Sequence, residues 1–136
     1  MKKECVFCNV KKDEKILETK HCYVVPDKYP LSKGHILIVP KEHYESIMET
    51  PDEVLCDIIK TVKLMKKRLT ERLKVKGMDF RENYRPFVPE SELRKAHIHF
   101  HIIPRTFKDL IYKAKGEVRR KEISQKDQAE LIKKLR

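Results

Sequence analysis

Between residues 50 and 77 the apolar positions Leu55, Ile58, Ile59, Val62, Met65, Leu69 and Leu73 recur every three or four residues, the spacing of one face of an α-helix. Thr50 is placed to cap this helix, Pro51 suits its first position and Glu53 completes a capping box, while Gly77 offers a stop after Lys74 and Lys76. Core packing accounts for the Met and Leu stripe without any cofactor. Shorter apolar runs read differently: HCYVVPD and GHILIVPKEH, separated by a turn carrying Pro30 and Gly34, predict two adjacent strands, with Pro40 ending the second. MDFRENYRPFVPESELRK predicts a strand and then a loop punctuated by Pro86 and Pro89. A polar tail ends in a predicted helix from Ser124 to Leu135, with Ala129, Leu131, Ile132 and Leu135 as its apolar positions. No internal repeat appears. The pattern predicts one α+β domain with a mainly antiparallel sheet, one long central helix and a C-terminal helix.

The run HIHFHIIPR, His97 to Arg105, places three histidines at alternate positions. On a strand His97, His99 and His101 share one face, and Ile98, Phe100 and Ile102 occupy the other. A row of imidazoles on one face suits metal ligands, satisfied core residues, or a nucleophile with its helpers.

Charge and cysteine content add bounds. The chain carries 32 Lys and Arg against 21 Asp and Glu, a formal charge of +11, which suits acidic ligands such as nucleotides or nucleic acid. The charges are spread along the chain, and most serve equally well to solvate helix faces. No charged amino-terminal segment leads into an apolar run, and no stretch approaches the roughly 18 apolar residues that cross a bilayer, so a cytoplasmic protein without membrane contact is expected. Four cysteines in such a chain argue against a disulfide scaffold. Cys5 and Cys8 form a C-x-x-C pair, whereas Cys22 and Cys56 read as small buried side chains. The pair fits a redox site or half of a zinc site, and zinc would need two more ligands.

His-x-His-x-His followed by two apolar residues, with GHILIVPKEH far upstream, closely resembles the histidine triad (HIT) family of nucleotide hydrolases and transferases, over Cys5 to Arg105. The resemblance implies a HIT domain over residues 1–105, with residues 106–136 as a helical extension packed on the domain or on a partner. It implies that His99 attacks the α-phosphorus of a purine nucleotide and forms a nucleotidyl-histidine intermediate, resolved by water with release of a nucleoside monophosphate. An imidazole suits the task, being neutral near pH 7 with one ring nitrogen open. Its other nitrogen would hold a proton toward the carbonyl of His97, while His101 and His35 bind phosphate oxygens and ease departure of the leaving group. No catalytic metal is implied. Asp27 falls where the family carries an Asp or Asn that binds the ribose, or it serves the turn that follows. Val6, Phe7 and Val10 fall where apolar residues sandwich the base, and fit ordinary core as well. Zinc-containing prokaryotic members imply structural zinc on Cys5, Cys8, His43 and His97, a tetrahedral set of two thiolates and two imidazoles. His21 is left as a surface residue. Many members are homodimers, so a homodimer is implied here.

One segment departs from the family pattern. The usual approach to the triad is rich in glycine and carries a Gln that touches the phosphates; NYRPFVPESELRKAH has no glycine and puts Leu93 and Arg94 at those positions. Arg85, Arg94 and Ser91 are the substitute phosphate donors, or else Arg85 and Arg94 are merely solvent-exposed. The implied substrates are dinucleoside polyphosphates or adenosine phosphoramidates, with the former favoured by the extra arginines. A nucleotidyltransferase or phosphorylase would use the same intermediate. From other classes come a zinc-containing nucleic-acid-binding module and a metallohydrolase that uses the histidine row as ligands.

Overall fold

The last strand in chain order, Phe100–Arg105, lies inside the sheet rather than at its edge. The computed structural model describes residues 4–88, 96–107, 109 and 122–136. Its strands are β1 (Leu17–Glu18), β2 (Cys22–Pro26), β3 (Ile36–Pro40), β4 (Gly77–Glu82) and β5 (Phe100–Arg105), ordered β1-β2-β3-β5-β4 and antiparallel at every junction. Helix α1 (Asp52–Leu73) connects β3 to β4. The chain divides into two compact units, Met1–Thr106 and Phe107–Arg136. In the second, α2 (Gln125–Leu135) starts at a Ser124 cap whose hydroxyl accepts a hydrogen bond from the Asp127 amide at 3.1 Å. Among the described residues no helix is long and apolar enough to cross a membrane.

Strand alternation sorts the sheet into two faces. On one, Cys22, Val24, Ile36, Ile38, Ile98, Phe100 and Ile102 pack against Val54, Ile58, Val62, Met65 and Leu69 of α1. On the other, Tyr23, Val25, Leu37 and Val39 pack against Phe7 from the amino-terminal segment. The histidines share this second face, so the helix closes the core behind them and the thiol-bearing segment covers part of the front.

Several local expectations shift. Helix α1 takes Pro51 as its N-cap and begins at Asp52; the Thr50 hydroxyl donates to the Ser46 carbonyl at 2.8 Å, so the expected capping box does not form. The helix ends at Lys74, not at Gly77: Lys74 adopts φ 57°, and the Val75 amide donates to the Leu69 carbonyl at 3.2 Å. A lysine in this left-handed conformation costs about 1 kcal/mol relative to the right-handed one, which is tolerated because Gly77 is already the first residue of β4. Ile59 and Leu73 lie at the margin of the buried stripe, 54% and 50% exposed, since inward-facing Val54, Ile58, Met65 and Leu69 set a narrower face. Cys56 is exposed, contrary to the expectation of burial, because two residues beyond Val54 the helix has turned about 200°. Cys22 is buried as expected.

The turn before His35 requires Gly34, which has φ 92°. A Cβ there would lie 3.2 Å from Pro104 Cγ and 3.4 Å from methyl groups of Leu69 and Leu73. Gly34→Ala should therefore destabilise the fold by about 1–3 kcal/mol, read as a lower urea midpoint at unchanged slope. A midpoint equal to that of the parent would contradict this packing.

Candidate functional site

His97, Ile98 and His99 precede the paired part of β5 yet keep its alternation, because the Ile98 amide donates to the Tyr44 carbonyl at 2.7 Å and its side chain enters the helix-side core. The three imidazoles thus emerge on one face, but each meets a different partner.

His99 turns Nδ1 toward the His97 carbonyl at 2.8 Å. A carbonyl only accepts, so the proton sits on Nδ1 and the lone pair on Nε2. The same reasoning fixes the next pair. The Leu31 amide donates to His35 Nδ1 at 3.0 Å, which places the His35 proton on Nε2. That nitrogen lies 2.9 Å from His101 Nδ1 and 3.2 Å from an oxygen of Asp27. His101 Nδ1 therefore accepts, and its proton sits on Nε2, 3.5 Å from Asn83 Nδ2, which is a second donor and makes no hydrogen bond with it. The result is a directed chain from the Leu31 amide through His35 to His101. Burial pushes His101 down to about 4, helped by charge on His99 and His35 and opposed by Asp27. Burial also lowers His35, again opposed by Asp27. These two imidazoles are neutral hydrogen-bond donors at neutral pH.

His97 is fully buried, and its carbonyl is only one of its functions. Its Nε2 donates to the Pro40 carbonyl at 2.8 Å, and its Nδ1 lies 3.4 Å from Cys5 Sγ and 3.5 Å from Cys8 Sγ. His43 Nδ1 lies 3.4 Å from Cys8 Sγ, and all four donor atoms fall within 4.8 Å of one another. A tetrahedral zinc with Zn–S of about 2.3 Å and Zn–N of about 2.0–2.1 Å sets S···N edges near 3.5 Å. The four residues fit that ion in donor chemistry and spacing, and the Pro40 carbonyl supplies the outer hydrogen bond that orients a ligating imidazole. Tyr23 on β2 anchors the segment by donating its hydroxyl hydrogen to the Phe7 carbonyl.

The remaining predicted residues divide. Phe7 is buried with its ring 4.9 Å from that of His99 and 5.8 Å from that of His97. Val10 packs on the Tyr23, Val25, Leu37 and Val39 cluster, whereas Val6 is 48% exposed. Asp27 combines two positions: one carboxylate oxygen accepts from the Tyr29 amide at 2.8 Å in a turn, and the other faces the His35–His101 pair. Arg85 is exposed, with Nη2 3.5 Å from the Asn83 side-chain oxygen. Ser91 and Arg94 lie outside the described residues. His21 is half-buried, and its amide donates to Asp57 at 2.9 Å. Asn83 and Arg81 were not singled out from the sequence. Their alternate spacing at the end of β4 was visible, but only the strand register, with Arg81 opposite His101, and the approach of Asn83 to His101 show which face they take. Asp27, His35 and His101 also bring donor atoms within 4.8 Å of one another, although the His35 Nε2 proton there already serves the His101 hydrogen bond.

Known proteins resemble this chain in family, in sequence and in structure. The family model of the HIT domain matches residues 9–108. An uncharacterized HIT-like protein of Methanocaldococcus jannaschii is 37% identical over 97% of this chain and 98% of its own. The adenosine 5'-monophosphoramidase HNT1 of Saccharomyces cerevisiae is 33% identical over 74% of this chain and 62% of its own, and the adenylylsulfatase HINT3 of Arabidopsis thaliana is 30% identical over 97% and 68%. Among solved structures, a HIT family protein from Bacillus subtilis superposes with TM-score 0.75 at 23% identity, covering 97% of this chain and 94% of its own. A Zn-bound histidine triad family protein from Mycobacterium smegmatis gives 0.66 at 23%, covering 95% and 90%.

Two outcomes follow from the geometry. Elemental analysis should find about one zinc per chain, and chelation should lower the thermal midpoint by roughly 10 °C or more; an unchanged midpoint after verified removal would contradict the four-ligand site. The second concerns acid. Between the ordinary histidine value of 6.5 and about 4, the unfolded chain binds a proton at His101 that the folded chain does not, so stability falls as pH is lowered through that window. His99, His35, Asp27 and Arg81 face this imidazole. His101→Asn should flatten the loss by on the order of 3 kcal/mol in urea unfolding at successive pH values. An identical slope in the variant would refute the assignment.

Proposed function

The chain belongs to the HIT domain family, and from that premise we propose that it is a nucleotide hydrolase in which His99 carries the nucleotidyl group. The observation that supports this most is the orientation of His99, whose Nδ1 faces the His97 carbonyl at 2.8 Å and whose lone pair is on Nε2. Attack by Nε2 forms a nitrogen–phosphorus bond at the α-phosphate as the bond to the leaving group breaks. The positive charge that develops on the ring is offset at Nδ1–H by the His97 carbonyl. His101, whose Nε2–H points away from His35, donates to a phosphoryl oxygen or to the departing atom. Water then attacks phosphorus as the nitrogen–phosphorus bond breaks: its oxygen stays with the nucleoside monophosphate, one of its protons replaces the one that His101 gave to the leaving group, the other is released as the product ionises, and His99 returns to its Nδ1–H form with the lone pair on Nε2. Phe7, beside the His99 ring, provides an apolar wall for a purine base.

Cys5, Cys8, His43 and His97 would hold a structural zinc, as the Zn-bound relative encourages. When bound it supplies cross-linking of the amino-terminal segment to the histidine strand and no step of the chemistry. Relatives named for monophosphoramidase and adenylylsulfatase activity support adenosine nucleotides substituted at the α-phosphate as the substrate class, and dinucleoside polyphosphates carry their substituent at the same phosphorus through a P–O–P anhydride.

His99→Gln should lower kcat/KM by at least about a thousandfold while the fold is retained. Slow-turnover incubation of the parent protein with labelled diadenosine tetraphosphate and with adenosine phosphoramidate should yield an acid-labile adduct on His99. Product analysis with inorganic phosphate present separates water from phosphate as the acceptor. Hydrolysis undiminished in His99→Gln, with no adduct on the parent, would falsify the reading; nucleic-acid binding that survives this substitution in its place would favour a binding module.

A further inference from the structure

A cation stands beside the imidazole row that the nucleotidyl chemistry does not use. Arg81 on β4 is the cross-strand partner of His101 on β5. Partners in an antiparallel pair project to the same face, with Cβ atoms about 4.5–5.5 Å apart. Arg81 is exposed and shares the face of the row. Alternation along β4 puts Asp79 on this face too and sends Phe80 and Glu82 to the other; Asn83, one residue past the strand, also turns to this face. Asp79, the acid that could quench Arg81 from its own strand, accepts from Arg105 Nε at 2.9 Å. Asp27, the other carboxylate facing the row among the described residues, lies 3.2 Å from His35 Nε2. The positive charge of Arg81 reaches both His35 and His101 and disfavours their protonation. Asn83, next on the same face, brings its amide to 3.5 Å from His101 Nε2. The donor that faces the departing atom thus has a guanidinium and an amide at its side.

We propose that Arg81 is a specificity-determining residue that binds the negatively charged leaving group, of phosphate type, beyond the α-phosphorus of the substrate. This rests on the assignment of His99 as nucleophile, since His101 and Arg81 are then neighbours of the same departing group. A guanidinium engages phosphate oxygens bidentately and keeps its charge throughout the working pH range. It favours a polyphosphate over an amine, because ammonia or an amine departing from a phosphoramidate offers that guanidinium no anion.

The test compares kcat/KM for diadenosine tetraphosphate and for adenosine 5'-phosphoramidate in the full-length parent, Arg81→Gln and Arg81→Lys. The ratio of polyphosphate to phosphoramidate efficiency should fall by about tenfold to a hundredfold in Arg81→Gln, mainly through KM for the polyphosphate, and Arg81→Lys should recover part of it. Added salt should lower the parent's ratio more than that of Arg81→Gln. A ratio that stays within about threefold of the parent's, equal losses on both substrates, or a parent that cleaves only the phosphoramidate would overturn the role of Arg81 alone. A parent that cleaves neither substrate and forms no His99 adduct would instead overturn the nucleophile assignment, and the role of Arg81 with it. Should Arg81→Gln fail to fold, the Lys variant and the salt dependence of the parent's ratio decide.

Discussion

His97 is the residue on which the site depends, because three groups of one buried amino acid serve three parts of the molecule. Its Nδ1 faces two thiols, its Nε2 donates to the Pro40 carbonyl, and its own carbonyl accepts from His99. A shift that loosens one contact disturbs the other two. The thiol-bearing segment, the end of β3 and His99 are therefore held as a unit, and burial pushes the His97 imidazole down to about 4, so the ring is neutral, as a metal ligand would have to be.

The fold supplies the rest of the rigidity. Insertion of β5 between β3 and β4 gives the histidine strand hydrogen-bonded neighbours on both sides. Ile98, Phe100 and Ile102 anchor it into the helix-side core, so alternate residues are fixed on the opposite face. That arrangement also explains the separate environments of His99 and His101. One is steered by a carbonyl two residues back; the other accepts a hydrogen bond from His35, itself oriented by the Leu31 amide in the turn that Gly34 permits. Orientation of each ring by a backbone group is the kind of preorganisation that favours developing charge without rearrangement.

Much of this was legible in the sequence. The 3.6-residue period located α1, the two short apolar runs located β2 and β3, and alternation assigned Ile98, Phe100 and Ile102 to the face opposite the histidines. The C-x-x-C pair was visible by itself, and the resemblance to zinc-containing members added His43 and His97, the set that the structure brings together. What escaped were features that depend on register or on competition between local and distant contacts. Thr50 lost its cap because the Ser46 carbonyl was in reach, and Lys74 took the left-handed position because the following chain had to enter β4 by Gly77. Arg81 and Asn83 could not be assigned to the site, since a one-residue slip in pairing would have sent them to the helix side. Asp27 was read as either a turn residue or a site residue, and its two oxygens do both.

The His97 carbonyl holds the His99 proton on Nδ1, which leaves the lone pair on Nε2. Nitrogen-15 NMR of histidine-labelled protein at neutral pH tests it most directly, because the two ring nitrogens report their protonation separately. His99 should appear as the Nδ1–H tautomer, with Nε2 showing the shift of an unprotonated nitrogen. A resting His99 protonated on Nε2 would contradict it.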